Sequence, residues 1–377
     1  MNGTAPADPP TFDLHGWPAP TPSTSIALPE QPAGVPWPTE RWETGEQLTG
    51  DPERLAELLE GPFRTGTTEE LGESLAFVAV QGGRIIAERY APSVTADTTL
   101  LSWSMAKSVT QAAAGLLVGD GLLDPAAPVL PPEWREPGDP RAPITLDDLF
   151  AMRSGLHFTE DYVDAGVSNC LEMLFGEGAH DVAAYAASQP LEHPIGTVFN
   201  YSSGTTNIVS RHLATLVVLR DGGDPDDPSQ RRAAMEHLVR DRLLAPIGVR
   251  SAEMRYDEAG TFVGSSYLYA TARDFARFGL LHLRDGVWDG VRLLPEGWVD
   301  RARTIRSVDP DDGWFHGHHW WVRGDEHGTF WANGYEKQLI ACVPALDLVI
   351  VRLGKTLTHQ RDAFQRFWHG VIDAVAG

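Results

Sequence analysis

Between Ala112 and Val118 the chain reads Ala-Ala-Ala-Gly-Leu-Leu-Val, a helix-forming run with no polar face, and it stops at Gly119-Asp-Gly121. A helix apolar on every side is stable in water only with protein all around it. This segment is therefore expected at the centre of the molecule, with the other elements wrapped about it. At 377 residues and 42% hydrophobic content the chain can bury a core of that kind, as one large domain or two intimately packed ones.

The order of the remaining elements narrows the fold class. Leu75–Val80 and Arg84–Tyr90 read as two strands joined by the tight turn Gly82-Gly83. The middle of the chain carries helical signal: Leu146–Met152 behind an N-cap at Thr145, then Thr206–Val218, then Ser229–Leu244, with an acidic loop at Asp221–Pro228. After residue 260 come a helix at Ala272–Leu283, strand-like runs at His319–Val322, Leu339–Val343 and Leu348–Leu353, and an amphipathic helix at Arg361–Val375. Strands, helical block, strands and helix, with no repeating strand-helix unit, predict an α+β fold. The expected form is an antiparallel sheet flanked by helices, built from about 66–125 and 260–377, with a mostly helical subdomain inserted at about 126–259. Ahead of it, ten of the 28 prolines fall in the first 40 residues, which excludes a long helix there. Residues 1–65 are read as a Pro-rich arm packed on the domain, with Trp17, Trp37 and Trp42 to bury.

A formal charge of -22 makes the surface repel nucleic-acid phosphates and anionic lipid, so a small molecule is the expected partner. Cys170 and Cys342 are the only cysteines; they exclude a disulfide framework and a cysteine zinc site and are read as buried thiols. No signal-like or membrane-spanning run is present, and a soluble cytoplasmic protein is expected. Nothing calls for a cofactor or a metal. Oligomeric state stays open, a homodimer being one option.

The chemistry is suggested by lysine usage. Three lysines stand against 27 arginines, and Lys107 falls three residues after Ser104 in Leu101-Ser-Trp-Ser-Met-Ala-Lys-Ser108. A desolvated lysine can lose its proton and an arginine in a protein cannot, so Lys107 could serve as the base that a serine nucleophile needs. The first turn of the central helix also offers a free backbone N–H and favours negative charge. Ser104 as a plain N-cap beside a surface lysine is the alternative on spacing alone.

Further motifs follow in order: Leu122–Val129, Ile144-Thr-Leu-Asp-Asp-Leu-Phe-Ala-Met-Arg-Ser-Gly-Leu156, Phe199-Asn-Tyr-Ser-Ser-Gly204, Ser265–Gly279 and Asn333-Gly-Tyr-Glu-Lys-Gln338. With Ser104-Met-Ala-Lys107 they resemble the serine β-lactamase and penicillin-binding-protein superfamily, and within it the class C β-lactamase-like hydrolases. The resemblance implies a β-lactamase/transpeptidase-like fold and covers roughly 75–355. It implies Ser104 as the acylated nucleophile, Lys107 as base or proton relay, Tyr201 as the tyrosine that passes the proton to the leaving group, and an oxyanion hole from the N–H groups of Ser104 and Tyr335.

Two departures bear on substrate. The second motif reads Tyr201-Ser-Ser203, where the family usually has Tyr-x-Asn, and the third reads Ala332-Asn333-Gly334, where β-lactamases carry Lys-Thr-Gly. Both fall into the pattern of the 6-aminohexanoate-dimer hydrolases, which Phe158-Thr-Glu-Asp-Tyr-Val-Asp164 also resembles. In those enzymes the tyrosine matched by Tyr162 closes over the substrate. Tyr162, Ser203, Asn333 and Gly334 are therefore the expected substrate-binding residues, while Lys355, beyond the matched motif, is read as a surface lysine. His316-Gly-His-His319 lacks the helical frame of a metal site. The reading is a serine hydrolase for a small ester or linear amide, with a weak β-lactamase, a D-amino-acid peptidase or a catalytically silent ligand-binding member as alternatives.

Overall fold

The computed structural model describes residues 26–164 and 166–377. Gly82 and Gly83 take φ of 57° and 77°, the left-handed pair a two-residue hairpin turn demands, and they join β1 (Gly72–Gln81) to β2 (Arg84–Tyr90). The later strands are β3 (Trp321–Val322), β4 (Phe330–Gly334), β5 (Gln338–Val343) and β6 (Leu348–Lys355). They lie side by side in the order β2-β1-β6-β5-β4-β3, all antiparallel, within a nine-stranded sheet. The pairing of Val78 with Val351 and Val80 with Val349 makes the N- and C-terminal parts of the chain neighbours in space. No residue from 126 to 259 contributes a strand to this sheet among those described.

Side chains alternate faces along each strand, and both faces are covered. Phe77, Ala79, Leu339, Ala341, Leu348 and Ile350 pack against helix α1 (Pro52–Arg64) and the C-terminal helix (Arg361–Ala376). Val78, Val80, Ile340, Cys342, Val349 and Val351 join the larger core, which holds helix α2 (Ala106–Gly119), helix α3 (Ser203–Arg220) and helix α4 (Ala272–Leu283). Burial on both sides is why these strands read as continuous apolar runs despite being antiparallel. Every residue of α2 from Ala106 to Leu117 is buried, as its all-round apolarity requires.

Three details differ from the sequence reading or extend it. The strand near residue 320 begins at Trp321 and not at His319, because His319 takes a left-handed φ of 56° that breaks an extended run. Helix α1 lies inside the stretch read as arm: Asp51 caps it, Pro52 occupies its first turn, and Leu55, Leu59 and Phe63 form its buried face. Upstream of α1, Trp37 packs on Trp288, the Trp42 indole N–H donates to the Arg273 carbonyl, and Arg277 donates to the Pro38 carbonyl. Trp17 and the prolines before residue 26 lie outside the described residues. No helix of the described residues is long and apolar enough to cross a membrane.

Candidate active site

The turn that carries Ser104 is set by local strain and by the strand beside it. Trp103–Met105 form a single 3-10 turn running straight into α2, and Trp103 takes a left-handed φ of 46°, a conformation that costs a non-glycine residue of order 1 kcal/mol or more. Trp103 is held there by edge-on packing against Tyr335 at 5.6 Å and by Tyr267 at 6.1 Å. From the other side Gly334 of β4 comes so close that a Cβ on it would lie 2.3 Å from the Ser102 carbonyl oxygen. Only glycine permits this approach, which brings the Asn333–Tyr335 backbone alongside the Ser104 turn.

One turn along, Lys107 is 2% exposed, and its Nζ lies 2.8 Å from Ser104 Oγ, 2.9 Å from Ser203 Oγ and 3.1 Å from the Ser265 carbonyl. Burial pushes the ammonium below its ordinary range, opposed by the negative field of Glu160. Tyr201 lies over the same amine, its ring centroid 4.9 Å from Nζ, and its hydroxyl is near Ser104. Its ring stays partly open to the cleft while dense protein surrounds its hydroxyl. That burial, with Glu160 nearby, pushes the phenol well above its ordinary value. Trp321 stacks on its ring at 5.6 Å, and His316 meets it edge-on at 6.3 Å. A lysine pushed down and a tyrosine pushed up, both on one serine, can divide the work of base and acid.

The structure brings a further group into this cluster. Glu160, on the loop before helix Asn169–Phe175, accepts from the Ser203 backbone N–H at 2.8 Å, from Ser203 Oγ at 2.5 Å and from the Tyr162 hydroxyl at 2.8 Å. Glu160 is not legible as a site residue in the sequence, because a lone glutamate in a loop carries no spacing signal. The same bonds correct the expectation for Ser203: its hydroxyl, in a residue 1% exposed, is spent between Lys107 and Glu160 and does not line the cleft.

The cleft itself has a volume of about 600 Å³ and is walled by Ser104, Tyr201, Trp314, Trp321, Asn333 and Gly334, with Tyr162 and Tyr335 in ring contact at its mouth, 4.8 Å apart and each about a third exposed. Tyr162, Asn333 and Gly334, expected as substrate contacts, and Tyr335, expected as an oxyanion donor, line the same cleft as Ser104. Lys337 also lines the cleft, a cation that motif matching missed because it follows the third motif instead of opening it. Lys355 is exposed and sits 3.8 Å from Glu73. The turn at 335–337 is tied down by the fully buried Arg352, which donates to the carbonyls of Glu336, Lys337, Leu71 and Glu73.

The histidines of the 316–319 run face different neighbours. His316 stands behind Tyr201 and Trp321, while His319 engages the Thr206 hydroxyl and the Phe150 carbonyl. No group of three or more acidic, histidine or cysteine side chains that could hold a metal occurs among the described residues.

Known proteins place this arrangement in a family. The Beta-lactamase family model matches residues 65–370. A 6-aminohexanoate-dimer hydrolase from Paenarthrobacter ureafaciens is 26% identical over 315 residues, spanning 80% of this chain and 76% of its own. Among solved structures, a Bacillus anthracis protein provisionally named a 6-aminohexanoate-dimer hydrolase superposes over 92% of this chain and 89% of its own, with a TM-score of 0.68 at 20% identity. A D-stereospecific amidohydrolase from Streptomyces superposes over 86% of this chain and 98% of its own, with a TM-score of 0.59 at 18% identity. At these identities the superpositions speak to the β-lactamase/transpeptidase-like fold, whereas the family model covers most of the chain and the motifs that build the cleft. The chain belongs to the beta-lactamase family, and with it to the serine hydrolase superfamily.

Proposed function

We propose that this protein hydrolyses a small ester or linear amide through an acyl-enzyme on Ser104. The observation that carries the reading is the contact of the Ser104 hydroxyl with a lysine that burial drives toward its neutral form, 2.8 Å away. In the first step Lys107 takes the hydroxyl proton as Ser104 Oγ attacks the substrate carbonyl carbon. The resulting oxyanion is received by the backbone N–H groups of Ser104 and Tyr335. Tyr201, kept protonated by its surroundings, supplies a proton to the departing oxygen or nitrogen and is replenished from Lys107. The acyl group stays on Ser104 until a water, losing its proton to the same pair, attacks the ester carbonyl; the pair returns that proton to Ser104 Oγ as its bond to the acyl carbon breaks and the acid is released. Tyr162 and Asn333 serve as substrate contacts.

The substrate class draws support from two sides. The relatives include proteins named as amide hydrolases, and the third motif lacks the cation of the Lys-Thr-Gly pattern. Lys337 offers a cation in a lining that also carries Glu160, Asp309, Asp311, Asp312 and Glu336, and a weak β-lactamase activity stays in the comparison. Two free, buried cysteines fit a reducing compartment, and we place the enzyme in the cytoplasm.

Intact-mass analysis after a fluorophosphonate probe tests the reading. A single adduct on the wild type and none on Ser104→Ala is expected, and an unlabelled wild type would refute it. Rates on p-nitrophenyl butyrate, a chromogenic cephalosporin and a 6-aminohexanoate dimer then sort ester, β-lactam and linear amide.

A further inference from the structure

We infer that Glu160 is a positioning residue: by holding the Ser203 hydroxyl as a donor, its carboxylate leaves the lone pair of Lys107 facing Ser104 alone. The hydrogens around Nζ fix this arrangement. A neutral lysine amine has two N–H groups and one lone pair, and Nζ here has three neighbours, Ser104 Oγ, Ser203 Oγ and the Ser265 carbonyl. The carbonyl only accepts, so it takes one N–H. Ser203 Oγ has a single proton, and at 2.5 Å from Glu160 Oε1 that proton is committed to the carboxylate. Ser203 must then accept from the amine, which uses the second N–H. The lone pair is left for the hydroxyl of Ser104, the orientation a general base requires.

Were the Ser203 proton free to turn, it could donate to the amine instead, and Lys107 would spend its lone pair on the wrong serine. Glu160 is held for this task from two sides: the Ser203 backbone N–H binds Oε2, and the Tyr162 hydroxyl binds Oε1. Tyr162 stands at the cleft mouth, so the link runs from the mouth through Glu160 and Ser203 to the base.

The other titratable groups facing Lys107 are Cys170, Tyr201, His316 and His319. Burial holds the thiol and the phenol protonated and both imidazoles neutral. Glu160 is therefore the anion in the shell, and its field opposes the loss of the lysine proton. Orientation and charge thus act in opposite senses on the rate at low pH, and this gives the inference a signature.

The inference rests on Ser104 being the nucleophile, and the test separates the two. The rate of fluorophosphonate labelling is measured against pH for the wild type, Glu160→Gln and Ser203→Ala, with thermal melts to follow folding. In Glu160→Gln the Ser203 backbone N–H holds the amide oxygen, so the NH2 faces Ser203 Oγ and turns its proton toward Lys107. Labelling is expected to slow by about 10- to 100-fold, part of what general-base catalysis contributes. Its acid limb is expected to move to lower pH, because an anion beside the amine is gone. Ser203→Ala keeps the carboxylate but removes the acceptor that takes the second N–H of the amine, so that N–H can turn to Ser104 Oγ in place of the lone pair; it is expected to slow labelling with the limb near its wild-type place. A wild type that labels, together with a Glu160→Gln variant of wild-type rate or unmoved acid limb, overturns the inference. If Glu160→Gln does not fold, Ser203→Ala at the wild-type rate overturns it equally. A wild type that does not label refutes the functional reading itself.

Discussion

Replacing Gly334 by alanine isolates the contribution of the third-motif strand to the site. Gly334 has φ −120° and ψ 158°, an extended conformation that alanine adopts without torsional cost, so the perturbation is purely steric. The new methyl would stand 2.3 Å from the Ser102 carbonyl oxygen and 2.9 Å from the Gln338 Cβ. The first contact is roughly 1 Å short of ordinary van der Waals separation, and both partners are backbone or anchored close to it. The strand must therefore retreat from the Ser104 turn by something near 1 Å. Overpacking of this kind costs about 1–3 kcal/mol in stability. The retreat carries the Tyr335 N–H away from the position of the oxyanion, and loss of one such donor costs about 100- to 1000-fold in kcat. Steady-state hydrolysis of p-nitrophenyl butyrate reads kcat, and urea unfolding reads the stability term. A Gly334→Ala variant that is destabilised yet keeps kcat within a few-fold of wild type would refute the placement of the oxyanion hole at Tyr335.

Lys107→Arg preserves the charge but not the base, and fluorophosphonate labelling is expected to fall to the background of Ser104→Ala; retained labelling would remove Lys107 from the mechanism. Arg352→Met leaves several carbonyls of the 335–337 turn and of residues 71–73 without a donor, and should cost about 3 kcal/mol in urea unfolding, with a larger loss in kcat than in KM because the turn carries Tyr335. His282 is fully buried, with its imidazole lowered from 6.5 to about 4 by desolvation. Between those values the unfolded chain binds a proton that the native state does not, so stability falls as pH drops from 6.5 to about 4, by up to about 3 kcal/mol for this residue. His282→Leu should flatten that decline in Tm measured against pH, and an unchanged slope would contradict the burial argument.

The parts of this protein legible in its sequence are those that depend on near neighbours along the chain. The apolar run at 112–118 called for a central helix, the Gly82-Gly83 turn for a hairpin, and three residues along a helical turn put Lys107 within reach of Ser104. Each follows from backbone geometry over a few residues, as does the order of motifs that resembles the β-lactamase superfamily. Helix α1 was readable in principle from Leu55, Leu59 and Phe63, but the proline-rich context concealed it. What only the tertiary structure decided is which groups surround that serine and lysine. Ser203 reaches Lys107 across 96 residues of chain and Glu160 reaches Ser203 across 43, distances at which spacing carries no information. Their roles depend on how loops pack and on where a single hydroxyl proton points. Ser203, taken from its motif as a substrate contact, proves to be committed between an amine and a carboxylate, because a buried hydroxyl within reach of both has better partners there than in the cleft.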